Sequence, residues 1–292
     1  MNKTCVLKHS TEKESTLNIT IFEPDDTEDI SGVIQIVHGM TEHIGRYEKI
    51  AEYFTKYGYV VVGNDIIGHG QNKRSDTDNI YMDNWFNAVE DIMTVRKLIY
   101  NKYGSTPVCL LGFSLGSFLV RSLNNKNDYK AQILVGTGYK PTILLRLVRL
   151  YLRIKYRKHM KDVSEEVKKI AFSNYNNKFK DKPENYWLLT DDAARKEYED
   201  DKLVKTSFTP GFFCEFLRGM IYVNKQMKKH KDTIPTLIIN GTHDLVGDGI
   251  ERVISYYQSP MNADIKISGK THDVLHDEGY EEVLDYIKMF IS

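Results

Sequence analysis

A parallel α/β sheet with helices on both faces is the fold class this 292-residue sequence predicts, and three observations carry it. Short apolar runs rich in β-branched residues recur along the chain. Amphipathic helical patterns alternate with them. A Gly-Phe-Ser-Leu-Gly turn, 112–116, joins one such run directly to the next helix. Strands of a parallel sheet are covered on both faces, so they read as continuous apolar segments rather than as every second residue. The chain is long enough to bury a full core, as one large domain or as one domain carrying an insertion.

Taken in order, a first strand is expected at 17–22 and apolar runs at 32–37 and 59–63, with a helix at 47–57 between them. A helix at 85–103 places Ala88, Val89, Ile92, Val95 and Leu98 on one face. The run 108–112 passes through the serine turn into a helix at 115–124, and 131–135 is the next strand. From 137 to 233 the alternation stops. That charge-dense stretch has no buried strand and reads as a mostly helical insertion capping the carboxyl ends of the strands. Strands resume at 236–240 and 264–267, with helices at 250–257 and 280–291. The expected division is 1–136 plus 234–292 for the core and 137–233 for the cap.

Composition narrows the function. Lys plus Arg and Asp plus Glu are both 40, so no basic excess points to a nucleic-acid partner. Cys5, Cys109 and Cys214 are too few and too widely spaced for a disulfide framework or a metal cluster. The first twenty residues hold no apolar stretch long enough for a signal peptide or a membrane span, and a cytoplasmic protein is expected.

Gly-x-Ser-x-Gly between a strand and a helix is the pattern of an exposed nucleophile. Bulky residues in place of Gly112 or Gly116 would clash in so sharp a turn, while the hydroxyl of Ser114 stands above the sheet. The Leu115 amide then opens a helix, where unpaired N–H groups can hold an oxyanion. A serine needs a base and an orienting acid, which in this architecture follow it on later loops. "TLIINGTHDLVGD" carries Asp244 and Asp248 past one strand, and "KTHDVLHDE" carries His272 and His276 past the next. Asp244, nearer its strand, is preferred to Asp248, and His272, in the loop, to His276; the sequence leaves both pairs open. A second oxyanion donor is expected from the Met40 amide after the strand ending at His38-Gly39. His38, Asp65 and His69 read as loop braces.

"HGMTEHIGRY", "GNDIIGHG", "LLGFSLGS" and "GTHDLVGD" together resemble the α/β-hydrolase superfamily, and within it the monoacylglycerol lipase and lysophospholipase-like branch with its serine aminopeptidase S33-type domain. "YWLLTDDAARKEYEDD" resembles the cap of that group. The resemblance implies a metal- and cofactor-free serine esterase with Ser114 as nucleophile, Asp244 as acid, His272 as base, and Met40 and Leu115 as oxyanion donors. It implies a small acyl ester as substrate. A peptidase, an aryl or cinnamoyl esterase, or a non-catalytic ligand-binding homologue are the alternatives. The chain departs from the branch at Phe113, where histidine is usual, at Ser117, and at Ile67, where many relatives have arginine.

Inside the insertion, "KPTILLRLVRLYLRIKYRKHMK" is a basic amphipathic helix. Ile143, Leu144, Leu147, Val148 and Tyr151 are expected to roof the site, with Arg146, Arg149, Arg153 and Arg157 on another face that suits contact with anionic membrane. Trp187, Phe208, Phe212 and Phe213 are candidate pocket walls, and the basic cluster "MKKHK" reads as a solvated loop.

Overall fold

In the computed structural model, which describes residues 1–13, 15–72, 74–124, 126–229 and 231–292 (backbone only at 173 and 174), the chain opens with a hairpin of strands. These are β1 (Asn2–His9) and β2 (Thr16–Glu23), paired antiparallel with Cys5 opposite Thr20. Then follow β3 (Gly32–Val37), α1 (Glu48–Thr55), β4 (Tyr59–Asn64), α2 (Trp85–Tyr103), β5 (Val108–Phe113), α3 (Leu115–Arg121) and β6 (Ala131–Val135). Four helices come next: α4 (Thr142–Lys155), α5 (Glu165–Lys178), α6 (Asp192–Asp200) and α7 (Pro210–Lys229). The chain closes with β7 (Thr236–Gly241), α8 (Ile250–Ile254), β8 (Ala263–Ile267) and α9 (Tyr280–Ile291).

The strands form one sheet in the order β1-β2-β4-β3-β5-β6-β7-β8, parallel from β4 onward. Alternation along each inner strand serves two cores. Val33, Val37, Leu110, Leu134 and Ile238 face a layer that includes α2, α3 and α7. Ile34, Ile36, Leu111, Ile133 and Ile239 face α1 and α9. Both faces are buried, which is why these strands read as nearly continuous apolar runs, broken inside by Gln35 and Gln132.

The edges differ from the sequence expectation. β1, "NKTCVLKH", is exposed along nearly its whole length and is held by main-chain pairing to β2, so it carries no burial pattern to find. β8 is an edge strand with Asp264 and Lys266 exposed and only Ile267 buried, rather than covered on both faces. Lys228 and Lys229 of "MKKHK" end α7 instead of lying in a loop, and His230 lies outside the described residues. From the 137–233 stretch, α7 joins the large core through Phe212, Phe213, Leu217 and Met220.

β3 connects leftward to β4, whereas β5 leads rightward through β6, β7 and β8. The loops after β3 and β5 therefore diverge and leave a crevice beyond the carboxyl ends of the strands, where open α/β sheets bind ligands.

Candidate active site

Val37, Gly112 and Leu134 lie side by side in register near the carboxyl end of the sheet, so the segments that follow emerge together. Ser114 occupies the turn between β5 and α3 with φ 48° and ψ −115°, a strained conformation that surrounding structure must impose. Its N–H donates to the Val135 carbonyl at 2.9 Å, pinning the turn to β6. Gly116 and Gly112 make the turn sterically feasible. A Cβ on Gly116 would stand 1.9 Å from the Val37 carbonyl oxygen, and one on Gly112 would stand 2.7 Å from the Gly116 oxygen.

The Ser114 hydroxyl lies 2.8 Å from Nε2 of His272, and Nδ1 of His272 lies 2.9 Å from Oδ1 of Asp244. A carboxylate can only accept, so Nδ1 carries the proton and Nε2 is free to accept from the serine. Asp244 is fixed in turn by the Val246 N–H at 2.8 Å and by Nδ2 of Asn240 at 2.8 Å, which also donates to the Thr137 carbonyl at 3.0 Å. The imidazole sits between the Phe113 ring (5.1 Å, 37°) and the Trp187 ring (5.8 Å, 26°), while its backbone N–H donates to the Trp187 carbonyl at 3.3 Å.

The other candidates lie elsewhere. Asp248 pairs with Lys140 at 2.9 Å, and His276 pairs with Asp273 at 2.9 Å and meets the Tyr47 ring edge to face. Asp65 accepts from the Ile44 and Gln71 N–H groups. His38 accepts the Ile66 N–H through Nε2 and bonds the Gly39 carbonyl through Nδ1. Burial, and then the neighbouring His69, hold the His38 ring well below its ordinary pKa, so it stays neutral as that bonding requires. Burial likewise lowers His69 to about 4. With His69 Nδ1 on the Ile67 carbonyl at 3.1 Å, all three residues bond neighbouring loop backbone, as expected of braces.

Met40 lines the crevice, and Leu115 is the first residue of α3, so its N–H has no intrahelical partner. A residue that the sequence reading passed over sets the Met40 loop. Glu42 accepts from the Gly39 N–H at 2.5 Å, the Tyr47 hydroxyl at 2.8 Å and Arg46 at 2.6 Å. Arg46 also lies 3.6 Å from Asp273, the neighbour of His272. Glu42, Asp273 and His276 bring donor atoms within 4.8 Å of one another, the one grouping among the described residues that could hold a metal ion. The Arg46 guanidinium already supplies the positive charge there. The visible signal was an i,i+4 Glu–Arg pair just after the glycine; its distant partner Asp273 was not readable.

These groups open onto a cavity of about 1300 Å³, above the roughly 300–1,000 Å³ usual for small-molecule pockets. One part is apolar, with Phe118, Leu145, Val148, Phe213, Phe216 and Met220, and another carries Lys168, Lys178, Glu184 and Lys196. Trp187 and Phe213 line it, while Phe208 and Phe212 are core residues. α4 roofs the cavity with only part of the face expected, through Leu144 and Val148. Leu145 and Leu152 turn inward, whereas Ile143, Leu147 and Tyr151 are 65%, 59% and 46% exposed. Arg149 bonds Glu215 and the Cys214 carbonyl rather than joining the other arginines.

Burial opposes charge on His272, but Asp244, with smaller help from Asp273 and Glu42, outweighs it and raises the imidazole above its ordinary pKa of 6.5. A base must be neutral to accept a proton, so the acid limb of kcat/KM is expected to have its midpoint above 6.5, with activity lost as pH falls through it. A pH profile of ester hydrolysis checks this; a midpoint below 6.5 would refute it.

The fold and this constellation define an α/β-hydrolase. The chain belongs to the family described as serine aminopeptidase, S33, whose model matches residues 28–279. It is 27% identical over 267 residues to the monoglyceride lipase homolog of Monkeypox virus, covering 89% of this chain and 88% of that one. It is 31% identical over 118 residues to the monoacylglycerol lipase of Mycolicibacterium smegmatis, 40% of either chain. A thermostable carboxyl esterase from Bacillus coagulans, solved in complex with glycerol, superposes with a TM-score of 0.87 at 21% identity over the full length of both chains, a likeness of fold. These relatives place the chain among the carboxylic ester hydrolases. Among the described residues, no helix is long and apolar enough to cross a membrane.

Proposed function

We propose that the chain is a serine esterase of the monoacylglycerol lipase and lysophospholipase-like kind. The observation that carries this reading is the Ser114–His272–Asp244 relay opening onto a large cavity with an apolar part. Ser114 Oγ attacks the ester carbonyl as Nε2 of His272 takes its proton, and Asp244 holds and stabilises the resulting imidazolium. The Met40 and Leu115 N–H groups donate to the tetrahedral oxyanion, each worth ~3 kcal/mol in comparable sites. The imidazolium then protonates the departing alcohol. Water, deprotonated by His272, cleaves the acyl-enzyme and restores Ser114. In this reading the stretch 137–233 is the cap over the acyl pocket. The free thiols of Cys5, Cys109 and Cys214 suit a reducing, cytoplasmic setting.

Hydrolysis of p-nitrophenyl esters from acetate to palmitate, beside aminoacyl p-nitroanilides, tests the substrate class. Esters of medium or long chain are expected to be preferred. Faster cleavage of the anilides would replace the esterase with a peptidase, and turnover of neither would leave a ligand-binding homologue.

The outer face of α4 favours a second element of this proposal, contact with anionic membrane. Ile143, Leu147, Leu150 and Ile154 form one exposed apolar stripe, 56% to 70% exposed, and Arg146, Arg153 and Arg157 are exposed beside it. Such a face suits the boundary between headgroups and acyl chains. Binding to phosphatidylglycerol vesicles is expected at low salt, weakened by added salt and by Leu147→Glu. A protein that ignores those vesicles at low salt does not dock this way.

A further inference from the structure

A second hollow, about 360 Å³, opens where the first turn of α4 meets the last turns of α7. Arg146 lines it from α4, and Lys225 and Lys228 line it from α7, three residues apart and so neighbours on one helix face. Among the described residues, no carboxylate lines this hollow and none of its three cations forms an ion pair. Nearby cations do have acidic partners: Lys140 pairs with Asp248 at 2.9 Å and Arg149 with Glu215 at 3.3 Å. Three like charges held around one space repel one another, and a multivalent anion relieves that repulsion.

The neutral lining adds donors. Asn224, 4% exposed, donates through Nδ2 to the Lys140 carbonyl at 2.9 Å and to Oγ1 of Thr142 at 3.2 Å. Because Thr142 Oγ1 accepts there, its own proton is available to another acceptor. The Tyr139 hydroxyl accepts from Arg252 at 3.3 Å and likewise keeps its proton to give. Pro141 caps α4 without a side-chain acceptor, so the N–H groups of that first turn add to the positive field.

We propose that this hollow binds a phosphate group, in particular a dianionic phosphate monoester. Against three cations a dianion leaves one charge uncompensated where a carboxylate would leave two, and an arginine fork flanked by lysines suits its oxygens. The site is separate from the proposed chemistry and does not depend on it: Tyr139 alone lines both this hollow and the catalytic cavity. A phosphate held here sits beside Ile143, at the start of the exposed stripe of α4.

Inorganic phosphate and lipid phosphate monoester are the two sources to separate, using the full-length protein and the double variant Lys225→Ala/Lys228→Ala. Isothermal titration with inorganic phosphate at constant ionic strength is expected to show saturable binding that chloride does not reproduce. Vesicle flotation is expected to favour phosphatidate over phosphatidylglycerol at matched surface charge. Saturation by inorganic phosphate without a phosphatidate preference assigns the free ion, and a phosphatidate preference assigns the lipid. In either case the double variant should weaken binding roughly tenfold or more, while p-nitrophenyl butyrate hydrolysis and the melting temperature stay unchanged. Leu147→Glu should lower binding to all anionic vesicles without altering phosphate binding, so failure of the membrane reading is separable from failure of this site. Absence of both responses in the wild-type protein, or equal responses in the double variant, would overturn the site.

Discussion

Ser114→Ala is expected to lower kcat for ester hydrolysis by about a million-fold, and Asp244→Asn by about ten-thousand-fold, as in serine hydrolases with this relay. The asymmetry follows from the geometry. Without Oγ there is no acyl-enzyme, and what remains is catalysis by binding and the oxyanion donors alone. Asn at 244 can still hold the ring through a hydrogen bond. It donates from an amide where Nδ1–H needs an acceptor, however, so the imidazole is pushed toward the wrong tautomer and Nε2 can no longer accept from Ser114. The Phe113 and Trp187 rings keep the imidazole in place in either variant, so its position is not the quantity lost. Because the three groups act as one unit, Ser114→Ala combined with His272→Ala should be no slower than either alone. Burst kinetics with a p-nitrophenyl ester, alongside thermal melts to show that the variants are folded, give the measurement. Retention of more than about a hundredth of wild-type activity in Ser114→Ala would remove Ser114 from the mechanism.

The inner sheet was legible because β3, β4, β5, β6 and β7 are buried on both faces and almost wholly apolar, with Gln35 and Gln132 as polar residues inside β3 and β6. β1 was not, since an edge strand exposed at all but Val6 and held mainly by main-chain pairing shows no side-chain pattern. α4 misled for a different reason. It has leucine or isoleucine on two faces, and periodicity cannot say which of them the rest of the protein will cover; Leu145 and Leu152 were chosen by contact with the cavity and core. The order serine, acid, base could be read from strand ends, and local spacing favoured Asp244 and His272. What the sequence could not supply were the groups that aim them. Asn240 ends a strand as an ordinary polar residue, and its hold on both Asp244 and Thr137 exists only once β6 and β7 are paired. Glu42 and Arg46 are neighbours in the chain, but they meet Asp273 only in the folded sheet.

Gly116→Ala is expected to cost about 3 kcal/mol of stability and to lower the melting temperature by roughly 5–10 °C. The added Cβ would stand 1.9 Å from the Val37 carbonyl oxygen and 2.6 Å from that of His38, both backbone atoms at the end of β3. Neither can swing aside as a side-chain tip can. β3 is paired on both sides, to β4 and β5, so α3 must retreat instead. Retreat carries the Leu115 N–H away from the Met40 loop and moves Ser114 relative to His272, where the hydrogen bond of 2.8 Å has little slack. Activity should therefore fall at least about a hundred-fold, the loss expected when a single oxyanion donor is removed. Ser117→Ala is the matched control. It removes a hydrogen bond to the Ser114 carbonyl from the same turn without adding an atom, and should cost about 1 kcal/mol. If Gly116→Ala melts and turns over like Ser117→Ala, the two glycines are not there to let the nucleophile helix touch the sheet, and the tightness of the turn has another cause.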